Sequence, residues 1–345
     1  MPTLRWRVLD QVLAVSAPAE ELLAHARRGY GRFPAAAAAE PATVEVATDG
    51  GRVQWTARPG ERRDCALLGP PWSSWHLRAV VHQAVLRALG GRYLLPHGSA
   101  VRAGGRAVLL VGGSGTGKTT LALALHDRGL PLLCEGQVPL DPDRGLVQAF
   151  PRGLEVVTGA AGGAACDKET RPAPAAAGAA PLGWIFFLED LFPGARPLQV
   201  EVGCPVAAAP AVSALVTALG LGAVAVRLDG TLGVVTGDLR APAGGGPAPA
   251  LDVIQARLRA LDPPVCYVAA RMAQRPDFTR ALTTRALSPA MTILGLQANS
   301  LAPGEAARTW PHLRRVLDGA CAHLVAGGSV AERVDFVLAR VRDAA

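Results

Sequence analysis

Gly112-x-x-x-x-Gly117-Lys118-Thr119 is the sequence feature with the most chemistry in it. Glycines at this spacing let consecutive backbone N–H groups turn inward around a chain of phosphates. A helix beginning at the lysine adds the partial positive charge of its amino terminus. In this pattern Lys118 reaches the β- and γ-phosphates and Thr119 offers its hydroxyl to Mg²⁺. The predicted contact set is Gly112, Gly113, Ser114, Gly115, Thr116, Gly117, Lys118, Thr119 and Thr120. No NKxD-type guanine motif and no ABC-type signature accompany it, so ATP is the expected nucleotide.

Two further residues stand where they can act on a bound phosphate. His97 begins the hairpin strand that runs antiparallel to the strand feeding the loop, and Glu135 closes the strand after the loop helix. Strand carboxyl ends are where α/β proteins place their ligands. A serine hydroxyl is a poor nucleophile, and phosphoryl transfer to it needs positioning, charge neutralisation and a base. Glu135 is the candidate base. Glu155, Glu189 and Asp190 are candidate metal acids, the last two ending the apolar run Trp184–Asp190. Lys168 and Arg152 are candidate phosphate or substrate contacts, each weighed against a solvated side chain. Cys134 reads as a small apolar residue in a buried strand.

The elements these residues require can be read from the surrounding pattern. Two apolar runs flank Gly104-Gly105, predicting a hairpin whose second strand, Arg106–Val111, feeds the loop. A helix over Lys118–Arg128 closes on Gly129. A short apolar strand follows within Leu130–Gly136, with Glu135 at its end. Upstream, Thr43–Ala57 reads as a hairpin around Asp49-Gly50-Gly51, and residues 72–91 as a helix ending on Gly90-Gly91. Residues 159–183 are low in complexity and 241–250 read as a linker. The expected organisation is an α+β region over 1–92, a nucleotide-binding core over 93–240 and a mostly helical region over 251–345. The fold class is α/β: a mixed sheet with flanking helices.

The order His-Gly, hairpin, glycine loop, helix ending in Arg-Gly, then strand ending in an acid resembles the HPr kinase/phosphorylase family, bacterial serine kinases built on a P-loop. The segments "HGSAV", "GGSGTGKTT", "ALHDRG" and "LLCEGQV" carry the resemblance, which covers about Leu94–Leu140. It implies a Mg-ATP-dependent kinase acting on a serine hydroxyl of a small protein or precursor peptide. Divergent members of this kind belong to peptide natural-product pathways, including lasso-peptide clusters. Lys118 and the loop would hold ATP, and Thr119 with Glu135 the Mg²⁺. Glu135 falls on the first of the family's paired aspartates, the base. His97 falls on the histidine that tunes it. The second aspartate, a metal ligand, falls on Gly136. The longer Glu side chain and the missing acid leave open a nucleotide-binding scaffold or regulator without kinase activity, and also a small-molecule kinase. The resemblance further suggests a homo-oligomer.

Composition narrows the classes. The chain has 345 residues, is 50% hydrophobic and 18% charged, and carries a formal charge of +7. That is a core-forming composition. Only two lysines occur, Lys118 and Lys168, against many arginines. No basic run interleaves with aromatics, so nucleic acid is not an expected partner. Six cysteines lack CxxC spacing, which argues against a zinc site or disulfide framework. The remaining histidines, at 25, 76, 82, 126, 312 and 323, lack ligand spacing. The uncharged stretch Val202–Val226 is broken by Pro and Gly and reads as a buried helix and a strand rather than a membrane span. With no signal-peptide pattern at the start, a cytoplasmic protein is expected.

Overall fold

The computed structural model describes residues 2–18, 20–49, 52–57, 62–66, 74–113, 115–157, 168–171, 178–191, 198–229, 232–239, 257–258, 267–272, 279–300, 313–314, 316–317 and 319–342. It is a mixed α/β protein with several sheets and, among the described residues, six α-helices.

The first sheet has the order β1 (Thr3–Val8), β2 (Gln11–Ser16), β3 (Val44–Asp49), β4 (Arg52–Ala57), β5 (Arg62–Ala66). β2 and β3 pair in parallel across helix α1 (Glu20–Tyr30), and the other pairs are antiparallel. Helix α2 (Ser74–Leu89) packs on this sheet and ends at Gly90, as the paired glycines predict.

The central sheet is built from β6 (Gly98–Ala103), β7 (Arg106–Val111), β8 (Leu132–Glu135), β9 (Leu140–Asp141), β10 (Leu146–Val147), β13 (Ala180–Leu188), β18 (Thr283–Ala286) and β19 (Cys321–Ala326). Its main path runs β18-β19-β13-β7-β6-β8. β7, β13 and β19 are parallel, and β6 is antiparallel to both β7 and β8. The carboxyl ends of β7, β8, β13 and β19 therefore lie along one edge, with the start of β6 among them. Alternation divides each strand between two cores. Ala107, Leu109, Val111, Ile185 and Phe187 face the core shared with the amino-terminal sheet. Val108, Leu110, Trp184, Phe186 and Leu188 face α3 (Lys118–Asp127) and α6 (Val330–Arg342).

β11 (Leu154–Val157) and β12 (Lys168–Arg171) form a separate hairpin. A third sheet, β15-β16-β14-β17, has a hydrophobic core of its own under α4 (Ala209–Ala218). Its strands are β14 (Leu198–Pro205), β15 (Gly222–Asp229), β16 (Leu232–Leu239) and β17 (Tyr267–Met272). The uncharged stretch 202–226 thus runs from the end of β14 through α4 into β15. Among the described residues no helix is long and apolar enough to cross a membrane. The region after 251 holds α5 (Pro289–Ala298) and α6, but also β17, β18 and β19. Two of those strands belong to the central sheet. The linker-like residues 241–250 and most of 159–177 lie outside the described residues.

Candidate functional site

The glycine loop bridges β7 and α3 at the edge where the strand ends gather. Gly112 passes so close to β13 that an added Cβ would stand 2.9 Å from the Leu188 carbonyl and 2.8 Å from Thr116 Oγ1. Only glycine fits. Thr116 Oγ1 donates to the Gly113 carbonyl at 2.9 Å, and Lys118 Nζ donates to the same oxygen at 2.6 Å. Lys118 is 6% exposed. The loop is thus folded upon its own lysine, which would have to leave the Gly113 carbonyl to reach an incoming anion. Gly115 is exposed at the tip, and Thr120 faces solvent. Ser114 lies outside the described residues.

A β-bulge aims Glu135. β8 starts with Leu132 on the α3 face, and strict alternation would send Glu135 to the opposite face. Instead the register with β6 slips: Val101 pairs with Leu132, but Ala100 pairs with Cys134 and Ser99 with Glu135. Leu133 is the extra residue, and Leu133 and Cys134 both face the amino-terminal core. Bulges turn a side chain in this way beside functional sites. Glu135 consequently points at α3, where Thr119 Oγ1 donates to its Oε1 at 2.7 Å. Burial and the Glu135 charge push the Cys134 thiol well above its ordinary pKa. Cys134 is no thiolate and serves as packing.

The second Glu135 oxygen faces Arg152, with Nη2 3.7 Å from Oε2. Both side chains are almost fully buried. Arg152 is delivered by backbone register: Phe150 bridges Cys134 in parallel, so Arg152 stands level with Gly136. Gly136 has φ 82, and a Cβ there would meet Arg152 Nη2 at 2.8 Å. The guanidinium fills the space that a side chain at 136 would need.

His97 is held at the same corner. Its Nδ1 lies 2.7 Å from the Gly136 carbonyl, which makes Nδ1 the protonated nitrogen, and Gln137 Nε2 lies 3.3 Å from it. The His97 backbone N–H donates to the Asn299 carbonyl at 2.8 Å. Asn299 follows α5 and is itself anchored on Leu191. Ser99 Oγ, Glu135 Oε2 and Gln137 Oε1, buried around this corner, lack hydrogen-bond partners. Ser99 and Glu135 are cross-strand neighbours on one face. Buried groups left like this mark a place where a donor or acceptor is expected from elsewhere.

Glu189 begins the turn after β13, at φ 69. Left-handed backbone is costly for a glutamate. Its carboxylate is taken by Arg333 Nη2 of α6. Arg333 is 1% exposed. It also donates to the carbonyls of Gly327 at 2.8 Å, Gly328 at 3.3 Å and Thr116 at 3.3 Å. One buried guanidinium therefore ties the glycine loop, the end of β13 and the start of α6 together. Ser329 and Glu332 form a capping box that fixes that helix start. Sequence pattern does not single out Arg333. It is one arginine among many, on the face of a helix far along the chain. Asp190 follows Glu189 and is half-buried. Glu155 and Lys168 lie on the β11–β12 hairpin, where Val157 pairs with Lys168. Both side chains lie outside the described residues.

Thr119 and Glu135 are the donors this corner offers to the Mg²⁺ that the sequence suggests. They are adjacent, but among the described residues no second carboxylate joins them: Gly136 has none and Glu189 is paired with Arg333. Among the described residues, no group of three His, Cys, Asp or Glu side chains could hold a metal. A divalent ion on the free Glu135 oxygen would also stand beside Arg152. At about 4 Å and an effective dielectric of about 20, that repulsion is about 8 kcal/mol before the charge of any phosphate is counted. The residues do not fit a divalent cation held by protein carboxylates. No protein-family model matches the chain, and no curated protein matches it.

Proposed function

We propose that this chain binds ATP at the 112–119 loop and transfers its γ-phosphoryl group to a hydroxyl, most simply a serine of a small protein or precursor peptide, as the resemblance to the HPr kinase type suggests. The observation that carries this reading is the state of Glu135. One carboxylate oxygen accepts from Thr119, and the other is buried beside the loop with no hydrogen bond. That free acceptor is what a base needs for an incoming hydroxyl. In the step, the acceptor oxygen bonds to the γ-phosphorus, the bond to ADP breaks, and the hydroxyl proton passes to Glu135. Lys118 and Arg152 supply positive charge to the phosphates, and stabilisation of this kind is most of phosphoryl-transfer catalysis.

The test is transfer from labelled ATP to candidate small proteins and peptides, in buffers with and without Mg²⁺. Glu135→Gln should lower transfer by about 10²-fold or more while ATP binding persists. Undiminished transfer by Glu135→Gln would sink the assignment of the base. A second reading, a nucleotide-binding scaffold without transfer, is favoured by Arg152 standing where an acid would be. ATP binding without transfer to any acceptor would select it.

A further inference from the structure

We propose that Arg152 provides, from within the protein, the positive charge that a divalent cation would otherwise bring to the site, so that the glycine loop engages a nucleotide polyphosphate without metal. This rests on reading residues 112–119 as a nucleotide loop, but not on whether transfer follows. Three observations converge on it.

The first is placement. The Phe150 N–H donates to the Leu133 carbonyl at 2.8 Å, and the Gly153 N–H to the Gly29 carbonyl at 2.9 Å. The first bond lays Phe150 against β8 and the second ties Gly153 to α1, so that Arg152 is held between them beside Glu135. The second is exclusion. Gly136 is left-handed, and any Cβ there would collide with Arg152 Nη2. The pair works as a unit: the glycine exists where the guanidinium needs room. The third is charge. The two carboxylates fixed at these strand ends, Glu135 and Glu189, each face an arginine. At 3.7 Å the Glu135–Arg152 contact is an ion pair without a hydrogen bond. A guanidinium matches phosphate geometry and stays charged at every working pH. With Lys118 and the amino terminus of α3 it gives a polyphosphate three separate sources of positive potential.

The experiment is calorimetric titration of the full chain with ATP, once with Mg²⁺ and once with EDTA. The expected result is a Kd that differs by less than about threefold between the two, a small effect on a scale where tenfold is about 1.4 kcal/mol. Arg152→Met keeps most of the side-chain volume and should weaken binding in EDTA by more than about tenfold, with Mg²⁺ recovering part of the loss. Arg152→Lys should fall between. If EDTA weakens wild-type binding tenfold or more, the metal is required and the proposal is overturned. It is equally overturned if Arg152→Met binds in EDTA as tightly as the wild type. Absence of ATP binding in both buffers rejects the nucleotide-loop reading itself, a different failure. The wild-type pair of titrations decides even where a variant does not fold.

Discussion

Replacing Arg333 by Met tests whether the contacts between α6 and the glycine loop hold the site together. Arg333 is 1% exposed and bonds three backbone carbonyls as well as the Glu189 carboxylate, itself 5% exposed. Methionine keeps length and apolar bulk, so little cavity forms. What remains is a buried Glu189 charge without its partner, held at φ 69. Removing one member of a buried pair costs about 3–5 kcal/mol. The carbonyls left behind add to this less than fully, because they share the same guanidinium. We expect about 4 kcal/mol, a large share of the 5–15 kcal/mol that stabilises a typical domain, with a fall in Tm of roughly 10 °C. Urea titration and scanning calorimetry of Arg333→Met, Glu189→Gln and the double variant read it. The double variant should be more stable than Arg333→Met by about 1.5 kcal/mol or more, because it buries no unpaired charge. A single-variant cost under about 1 kcal/mol, or a double variant no better than the single, would refute the reasoning.

Other outcomes follow from the same geometry. Gly136→Ala puts a Cβ 2.8 Å from Arg152 Nη2 on left-handed backbone. It should cost about 1–2 kcal/mol from the backbone alone and weaken ATP binding by displacing the guanidinium, read by melting and titration. His323 packs between Phe186 and Phe336, and burial, with Arg340 nearby, lowers its pKa. Its unfolded form therefore takes up a proton first as pH falls through about 6.5. The contribution is whole above that pH and is lost below it. Stability measured from pH 8 to 5 should decline on the acid side, and His323→Gln should flatten the decline.

Local structure was legible in the sequence, and long-range contacts were not. Gly112, Gly117 and Lys118 announce a turn between strand and helix because the backbone demands glycine there, and β7, α3 and β8 appear where the pattern puts them. The β3–β4 hairpin and α2 were legible for the same reason. Glu135 was visible as a strand-end acid, but its direction depends on the bulge at Leu133, which alternation alone gets backwards. Arg333 meets Thr116 across 217 positions, and nothing in its own helix distinguishes it from Arg340 or Arg342. The strands after residue 251 were hidden in a segment whose helices dominate the pattern. β18 is four residues long with no buried side chain, so it carries no period-two signal.

The reach of Arg333 also orders events during synthesis. On the ribosome, β7, the glycine loop and β13 emerge well before β19 and α6. At about 5–20 residues per second, the 217 positions between Thr116 and Arg333 amount to roughly 10–40 s. Through the later part of that interval β13, whose run from Trp184 to Leu188 is wholly buried in the finished protein, has an open edge where β19 will pair. Open apolar edges attract other chains. The nascent protein thus passes through a stage in which its glycine loop is made but unbraced, and the apolar run of β13 is available to chaperones or to misassembly.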